Sequence, residues 1–196
     1  MNQLLSLSAG DLLDRFASDQ PTPGGGSAAA LVQMVAGLPK TRTGAADERE
    51  KLDAAKASAA KAGARLRQLV DLDTDAYNAV TAAYRLPKAT DAEKASRTAA
   101  IAAAMRQATD IPLESVECAA TVLRAAAQTL AHGNANAASD VRTAIALCRA
   151  ALDAGAENVR ANIASPSLAN ETPLYLARLE ALRAPLESML GNPSRK

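Results

Sequence analysis

Residues 46–85 read ADEREKLDAAKASAAKAGARLRQLVDLDTDAYNAVTAAYR, a run of forty residues with no proline and a single glycine, Gly63. Leu52, Leu66, Leu69, Val70 and Val80 supply its larger apolar groups, and alanine fills most of the rest. Alanine has the best intrinsic helix propensity, and the run lacks the period-2 alternation of a half-buried strand. The stretch therefore predicts one continuous helix of about 60 Å. A helix that long bends, breaks or lies against a partner.

The neighbouring segments repeat the pattern. Downstream, Leu86-Pro87-Lys88-Ala89 ends the helix, and Thr90-Asp91-Ala92-Glu93 has the spacing of a capping box that starts another. The second helix runs towards His132, with Pro112 expected to kink or break it and Gly133 to close it in the left-handed conformation. Ser139 and Asp140 read as the cap and first residue of a third helix ending near Ile163. A fourth is expected from about Pro173 to Leu190, with a possible kink at Pro185. Upstream, Ser8 and Asp11 mark a short first helix, Pro21-Thr22-Pro23 stops it, and an apolar helix follows from about Ala28 to Leu38. No hairpin turn or internal repeat is present. The expected fold is all-α: an antiparallel up-and-down helical bundle with long, partly kinked helices, one domain over residues 1–196. Several helices carry apolar stripes wider than one neighbour covers, which points to a homodimer.

Composition narrows the function. A quarter of the residues are alanine, and the aromatics are Phe16, Tyr77, Tyr84 and Tyr175, with no tryptophan. That leaves little for a base-stacking platform. Lys plus Arg total 22 against 21 for Asp plus Glu, so there is no basic field to hold nucleic acid or an anionic membrane. Cys118 and Cys148 have neither metal-site nor disulfide-scaffold spacing and read as small buried side chains. The N-terminus lacks the basic and apolar regions of a signal peptide, and no run is long enough to span a bilayer. The expected location is the cytoplasm.

Chemistry has few places to sit. Gly24-Gly25-Gly26-Ser27 opens a helix with no Cβ in the way, so it is either a flexible capped turn or a site where exposed N–H groups meet a carboxylate or phosphate. Asp71, Asp73 and Asp75 fall inside the long helix. At about 100° per residue, Asp71 and Asp75 share one face while Asp73 points the other way. They form either a solvated acidic stripe or a desolvated acid–base group with a raised pKa. His132, the single histidine, either complements the end of a helix dipole or moves a proton; alone it builds no His-rich metal site. Gly133-Asn134-Ala135-Asn136 with Ser139-Asp140 is either a simple turn or a cluster of amide donors and one carboxylate facing a polar heterocycle. Lys88 is a loop cation or the partner of a carboxylate.

In order, Pro21-Thr22-Pro23-Gly24-Gly25-Gly26-Ser27, Asp73-x-Asp75-Ala76-Tyr77-Asn78-Ala79-Val80, Leu86-Pro87-Lys88, Ile111-Pro112-Leu113, Gly133-Asn134 and Ser139-Asp140 form a constellation. It resembles the formimidoyltetrahydrofolate cyclodeaminase and methenyltetrahydrofolate cyclohydrolase family, the C-terminal domain of formiminotransferase-cyclodeaminase. Two departures are visible: the helix after Ser27 is about two turns short, and Lys40-Thr41-Arg42-Thr43 stands where the family has a Gly-basic-basic-aromatic run.

The resemblance implies a helical homodimer with a folate cleft near the subunit interface and a tetrahydrofolate derivative as substrate. It implies no metal, no nucleic acid and no membrane partner. The implied reaction is cyclodeamination of 5-formiminotetrahydrofolate to the 5,10-methenyl form plus ammonia, or hydrolysis of that methenyl bridge. Asp73 falls on the family's acid–base position, which requires it to face the cleft while Asp71 and Asp75 face elsewhere. Gly24, Gly25, Gly26 and Ser27 would line the wall, Tyr77 would pack on the ligand, Asn134 and Asp140 would bind the pterin, and Lys88 would meet the glutamate tail. The alternative is a non-catalytic helical dimer that binds folate or a protein partner.

Overall fold

The computed structural model describes residues 7, 8, 11, 46–133 and 138–189. The elements that fall wholly within these residues are the helices α1 Ala46–Tyr84, α2 Asp91–His132, α3 Ala138–Ile163 and α4 Thr172–Met189, with a 3-10 turn Pro166–Leu168 before α4. No strand occurs among the described residues. No helix among them is long and apolar enough to cross a membrane. The expected apolar helix at 28–38 and the turn around 134–137 lie outside the described residues.

The starts and stops follow local chemistry. Ser8 Oγ accepts the Asp11 N–H at 3.1 Å, the cap expected of the first helix. At α2, Thr90 Oγ1 accepts from Glu93 N at 3.2 Å, while Glu93 Oε2 accepts from Thr90 N at 2.9 Å and Ala89 N at 2.8 Å. The capping box is complete, and those backbone bonds hold the Glu93 carboxyl below its usual pKa.

Three expectations need correction. Gly133 closes α2 with φ −86° and ψ −171°, extended rather than left-handed. Glycine suits the position for a steric reason: a Cβ there would come within 2.3 Å of Thr129 O, the carbonyl that accepts the Gly133 N–H at 2.8 Å. Pro112 does not break α2, whose 42 residues continue past it. Proline at 112 leaves the Ala108 carbonyl without its i+4 donor, and Asn162 Nδ2 of α3 donates to that oxygen at 2.7 Å. Finally, α3 begins at Ala138, so Ser139 and Asp140 both lie within its first turn.

The middle layer is α2. It packs against α1 on one side and α3 on the other, with α4 also lying against it. Towards α3 and α4 it contributes Leu113, Val116, Ala119, Ala120 and Leu123 to a large cluster with Cys148, Leu152, Ala156, Val159, Tyr175 and Leu179. Towards α1 it offers Ile111 to Leu66, Leu69, Val70 and Ala76, and Ala125 to Ala55 and Ala59. Its buried hydroxyls cost little, because Thr109, Ser115 and Thr129 each donate back to the carbonyl four residues earlier. Cys148 is buried as expected while Cys118 is half-buried, and burial pushes the Cys118 thiol up to about 11 and Cys148 up to about 12.

Candidate functional site

On the α2 side of α1 an alternation of three and four runs through Leu52, Ala55, Ala59, Ala62, Leu66, Leu69, Asp73, Ala76, Val80 and Ala83, with the buried Val70 beside it. This is the spacing of a helix–helix seam. Every member is buried apart from Asp73 and Val80, which are half-buried, and Asp73 is the one charged residue in the series. Placing a carboxylate where the seam calls for leucine or alanine costs desolvation energy, so the position wants a polar partner. Asp73 does have one.

Asp71 and Asp75 fall off that seam, as the helical wheel requires, although both are half-buried. On their side of α1, Thr74 Oγ1 and Asp75 Oδ1 are buried without a hydrogen-bond partner.

Beyond Asp73 the line along α1 changes character. Tyr77 lies four residues on and Tyr84 eleven, both close to the same stripe at about 100° per residue. They are 43% and 49% exposed, though rings of this size usually serve as core. Thr81 Oγ1 donates to Tyr77 O at 3.1 Å between them. Lys88, in the exposed turn after Leu86 and Pro87, completes this end. Above Tyr84, Arg97 of α2 donates through Nε and Nη2 to the tyrosine's own carbonyl at 3.3 and 3.0 Å, with its guanidinium carbon 5.6 Å from the ring centroid.

Asp73, Tyr77 and Lys88 are therefore brought to one half of the α1–α2 seam. On its far side stands the Arg65–Glu114 pair, two parallel bonds of 2.6 and 2.7 Å that hold the Glu114 carboxyl below its usual pKa. Asp140 is not brought there. It is exposed in the first turn of α3, where it has a partner of its own, and α3 follows the far end of α2. From the level of Glu114 to His132 is roughly 27 Å of helix. His132 sits half-buried in the last turn of α2 with a partner. Gly24, Gly25, Gly26, Ser27, Asn134 and the 40–43 segment lie outside the described residues. A separate groove of about 350 Å³, between Lys51, Ser58, Arg124 and Gln128, contains none of the candidates.

Sequence reasoning missed Tyr84 and Arg97, and it missed why Asp73 differs from its neighbours. The signal for the last was present: the three-four alternation passes through residue 73. Nothing local marks Arg97, whose role comes from a contact thirteen residues away.

A family model described as formiminotransferase-cyclodeaminase matches residues 8–172. The methenyltetrahydrofolate cyclohydrolase of Methylorubrum extorquens is 36% identical over 158 residues, covering 76% of each chain. The formimidoyltransferase-cyclodeaminase of Sus scrofa is 37% identical over 83 residues, 42% of this chain and 15% of that one. The crystal structure of formiminotetrahydrofolate cyclodeaminase from Thermotoga maritima superposes with a TM-score of 0.79 at 24% identity, covering 95% of this chain and 93% of that one.

Proposed function

Because this chain belongs to the formiminotransferase-cyclodeaminase family, we propose that it is a one-carbon enzyme acting on the bridge carbon of a tetrahydrofolate derivative. The carrying observation is Asp73, a lone carboxylate at a seam position of α1 with the exposed Tyr77 ring one turn away. The hydrolytic direction comes first, since the likeness to a cyclohydrolase extends over 76% of the chain and that to the mammalian protein over 42%.

The methenyl carbon is an amidinium centre and is electrophilic without further activation. Asp73 takes a proton from the attacking water as the new C–O bond forms, then gives it to the departing ring nitrogen, while the carbinol hydroxyl releases its proton to solvent and the formyl group stays on the other nitrogen. The carboxylate also stabilises the cationic reactant beside it. Cyclodeamination uses the same groups in opposite roles. N10 attacks the formimino carbon, and ammonia leaves carrying one proton from N10 and one from the Asp73 carboxylic acid. The likeness to the Sus scrofa protein over its 83 residues keeps this second direction in play.

Other parts of the reading rest on the same foundation. The domain is single over residues 1–196. Its helices run up and down: Arg65 meets Glu114 and Tyr84 meets Arg97, so positions rise on α1 as they fall on α2. The chain works as a cytoplasmic homodimer with the cleft at the interface. That arrangement lets Asp140 and Asn134 come from the second copy, with Gly24, Gly25, Gly26 and Ser27 forming the wall and Lys88 near the tail. No metal is required by this chemistry.

Two assays test the proposal. Purified protein is mixed with 5,10-methenyltetrahydrofolate and, separately, with 5-formiminotetrahydrofolate, and the methenyl absorbance is followed. Accelerated loss in the first identifies the cyclohydrolase, and accelerated gain in the second the cyclodeaminase. Uncatalysed rates in both would remove the enzyme and leave the non-catalytic dimer, which still predicts a rise in melting temperature with folate.

A further inference from the structure

Three cations surround the turn between α1 and α2: Arg85, Lys88 and Arg97. The acids beside them are already engaged, Glu93 by the Ala89 and Thr90 N–H groups and Asp91 by Lys94 at 2.8 Å. None of the three cations has a carboxylate partner among the described residues. Arg85 and Lys88 are exposed and free to swing. Arg97 is fixed.

Its fixation has two parts. The Tyr84 carbonyl, one of the last of α1, lacks an intrahelical donor, and Nε and Nη2 of Arg97 supply two bonds to it. The ring of the same tyrosine lies under the guanidinium at 5.6 Å. These bonds use one edge of the planar fork, and among the described residues Nη1 and the outer Nη2 hydrogen have no partner. An arginine held this way has lost its rotamer freedom before any ligand arrives, so little more is lost when a carboxylate binds.

The position also fits. Asp73 to Tyr84 is eleven residues, about 16 Å along α1. From the reacting bridge of a folate, the benzoyl ring, amide and glutamyl chain reach a comparable length, on the order of 13 Å at ordinary bond lengths. A molecule with its bridge carbon at Asp73 and its ring along Tyr77 would bring its carboxylates to Arg97.

We propose that Arg97, clamped by the carbonyl and ring of Tyr84, is the receptor for the glutamyl carboxylates of the substrate. This rests on the folate reading above and adds to it a fixed binding residue, with Lys88 as a mobile second cation. Arginine is the suitable residue because its fork meets a carboxylate through two parallel bonds, which lysine cannot reproduce.

The test compares Arg97→Met, Arg97→Lys and Lys88→Met with wild type, using the folate substrate and an analogue whose two glutamyl carboxylates are neutral amides. Losing a hydrogen bond to a charged group corresponds to a rise in KM of about 10-fold or more. Arg97→Met is expected to show that rise with the folate, to keep kcat within about threefold, and to match wild type on the diamide. Arg97→Lys should recover only part of the loss, and Lys88→Met should lose less than Arg97→Met. An equal rise on both substrates would make Arg97 a packing residue and overturn the proposal, as would no rise on either. If wild type turns over neither substrate, the folate reading fails by itself. Calorimetric titration with p-aminobenzoylglutamate then decides: binding that Arg97→Met abolishes retains the carboxylate receptor, and absent or Arg97-independent binding ends it.

Discussion

The two seams that α2 makes with its neighbours are built to different ends. On the α3 side every local defect is closed by a matching group. Pro112 frees a carbonyl and Asn162 caps it; Val116 Cγ2 lies 2.7 Å from where a Cβ on residue 155 would sit, and residue 155 is glycine. On the α1 side the alternation of small apolar residues is interrupted by Asp73, and the line beyond it leaves Tyr77 and Tyr84 uncovered. One seam spends its complementarity on itself. The other sets exposed rings beside a half-buried carboxylate, and polar or exposed groups in a seam otherwise made of alanine and leucine are where a ligand can be recognised.

The sharpest way to break this contrast is at residue 73. Asp73→Asn keeps shape and polarity but removes the proton acceptor, and turnover should fall about 10³-fold, equivalent to about 4 kcal/mol of transition-state stabilisation. Helical content and the folding transition should be nearly unchanged. Asp73→Leu goes further, completing the apolar alternation: it should abolish turnover and raise the melting temperature, since function there is held against stability. Methenyl absorbance and a circular-dichroism melt read both effects. A Leu variant that unfolds, or an Asn variant with wild-type rates, would refute the assignment of Asp73.

How much of this the sequence disclosed depends on how local each cause is. The ends of α1 and the capping box at Thr90 and Glu93 were legible because proline chemistry and a four-residue motif decide them. The outcomes at Pro112 and Gly133 were not. Whether a proline breaks a helix depends on a donor from elsewhere, here Asn162, fifty residues along the chain. Whether a terminal glycine turns left-handed depends on competing sterics, and here a close approach to Thr129 O gives it a reason to be glycine in the extended region. For the site, the motif order singled out Asp73 and Tyr77, which lie close together on α1, and Lys88 in the turn that follows it. Asp140 lies beyond the far half of α2, which the expected helix from Thr90 to His132 already implied but which the order of the motifs alone does not express.

The closed seam offers the next two effects. A Cβ on Gly155 would sit 2.7 Å from Val116 Cγ2, and a β-branched side chain has few rotamers with which to retreat. Gly155→Leu is therefore expected to destabilise by about 3 kcal/mol, at the upper end of ordinary overpacking. Gly155→Ala should cost less, because its better helix propensity returns about 1 kcal/mol. Urea titration measures both, and activity per folded molecule should not change. At Asn162, replacement by Ala leaves the Ala108 carbonyl unpaired and should cost about 1–2 kcal/mol. Pro112→Ala restores a backbone donor to that same oxygen, so the loss at Asn162 should shrink in its presence. Additive losses in the double-mutant cycle would show that the Asn162 bond does not serve the proline.

The smallest effect lies at the edge of the open seam, where Arg65 grips Glu114. The fork holds the Glu114 carboxyl below the ordinary glutamate pKa, so the folded protein holds this proton less tightly than the unfolded chain. The sign follows: the pair's stabilisation is complete above the ordinary carboxylate range and is lost as pH falls through the lowered folded value. Both side chains are more than a third exposed, so solvent screening keeps the contribution below about 1 kcal/mol. Glu114→Gln should lower the melting temperature slightly at pH 7 and match wild type near pH 2, the two curves converging below about pH 4.5. Glu93 is lowered in the same direction by its backbone bonds at the α2 cap. A Glu93→Gln control therefore separates the cap's share of the acid sensitivity from that of the seam, and only the Glu114 share should diminish when Arg65→Met removes the fork.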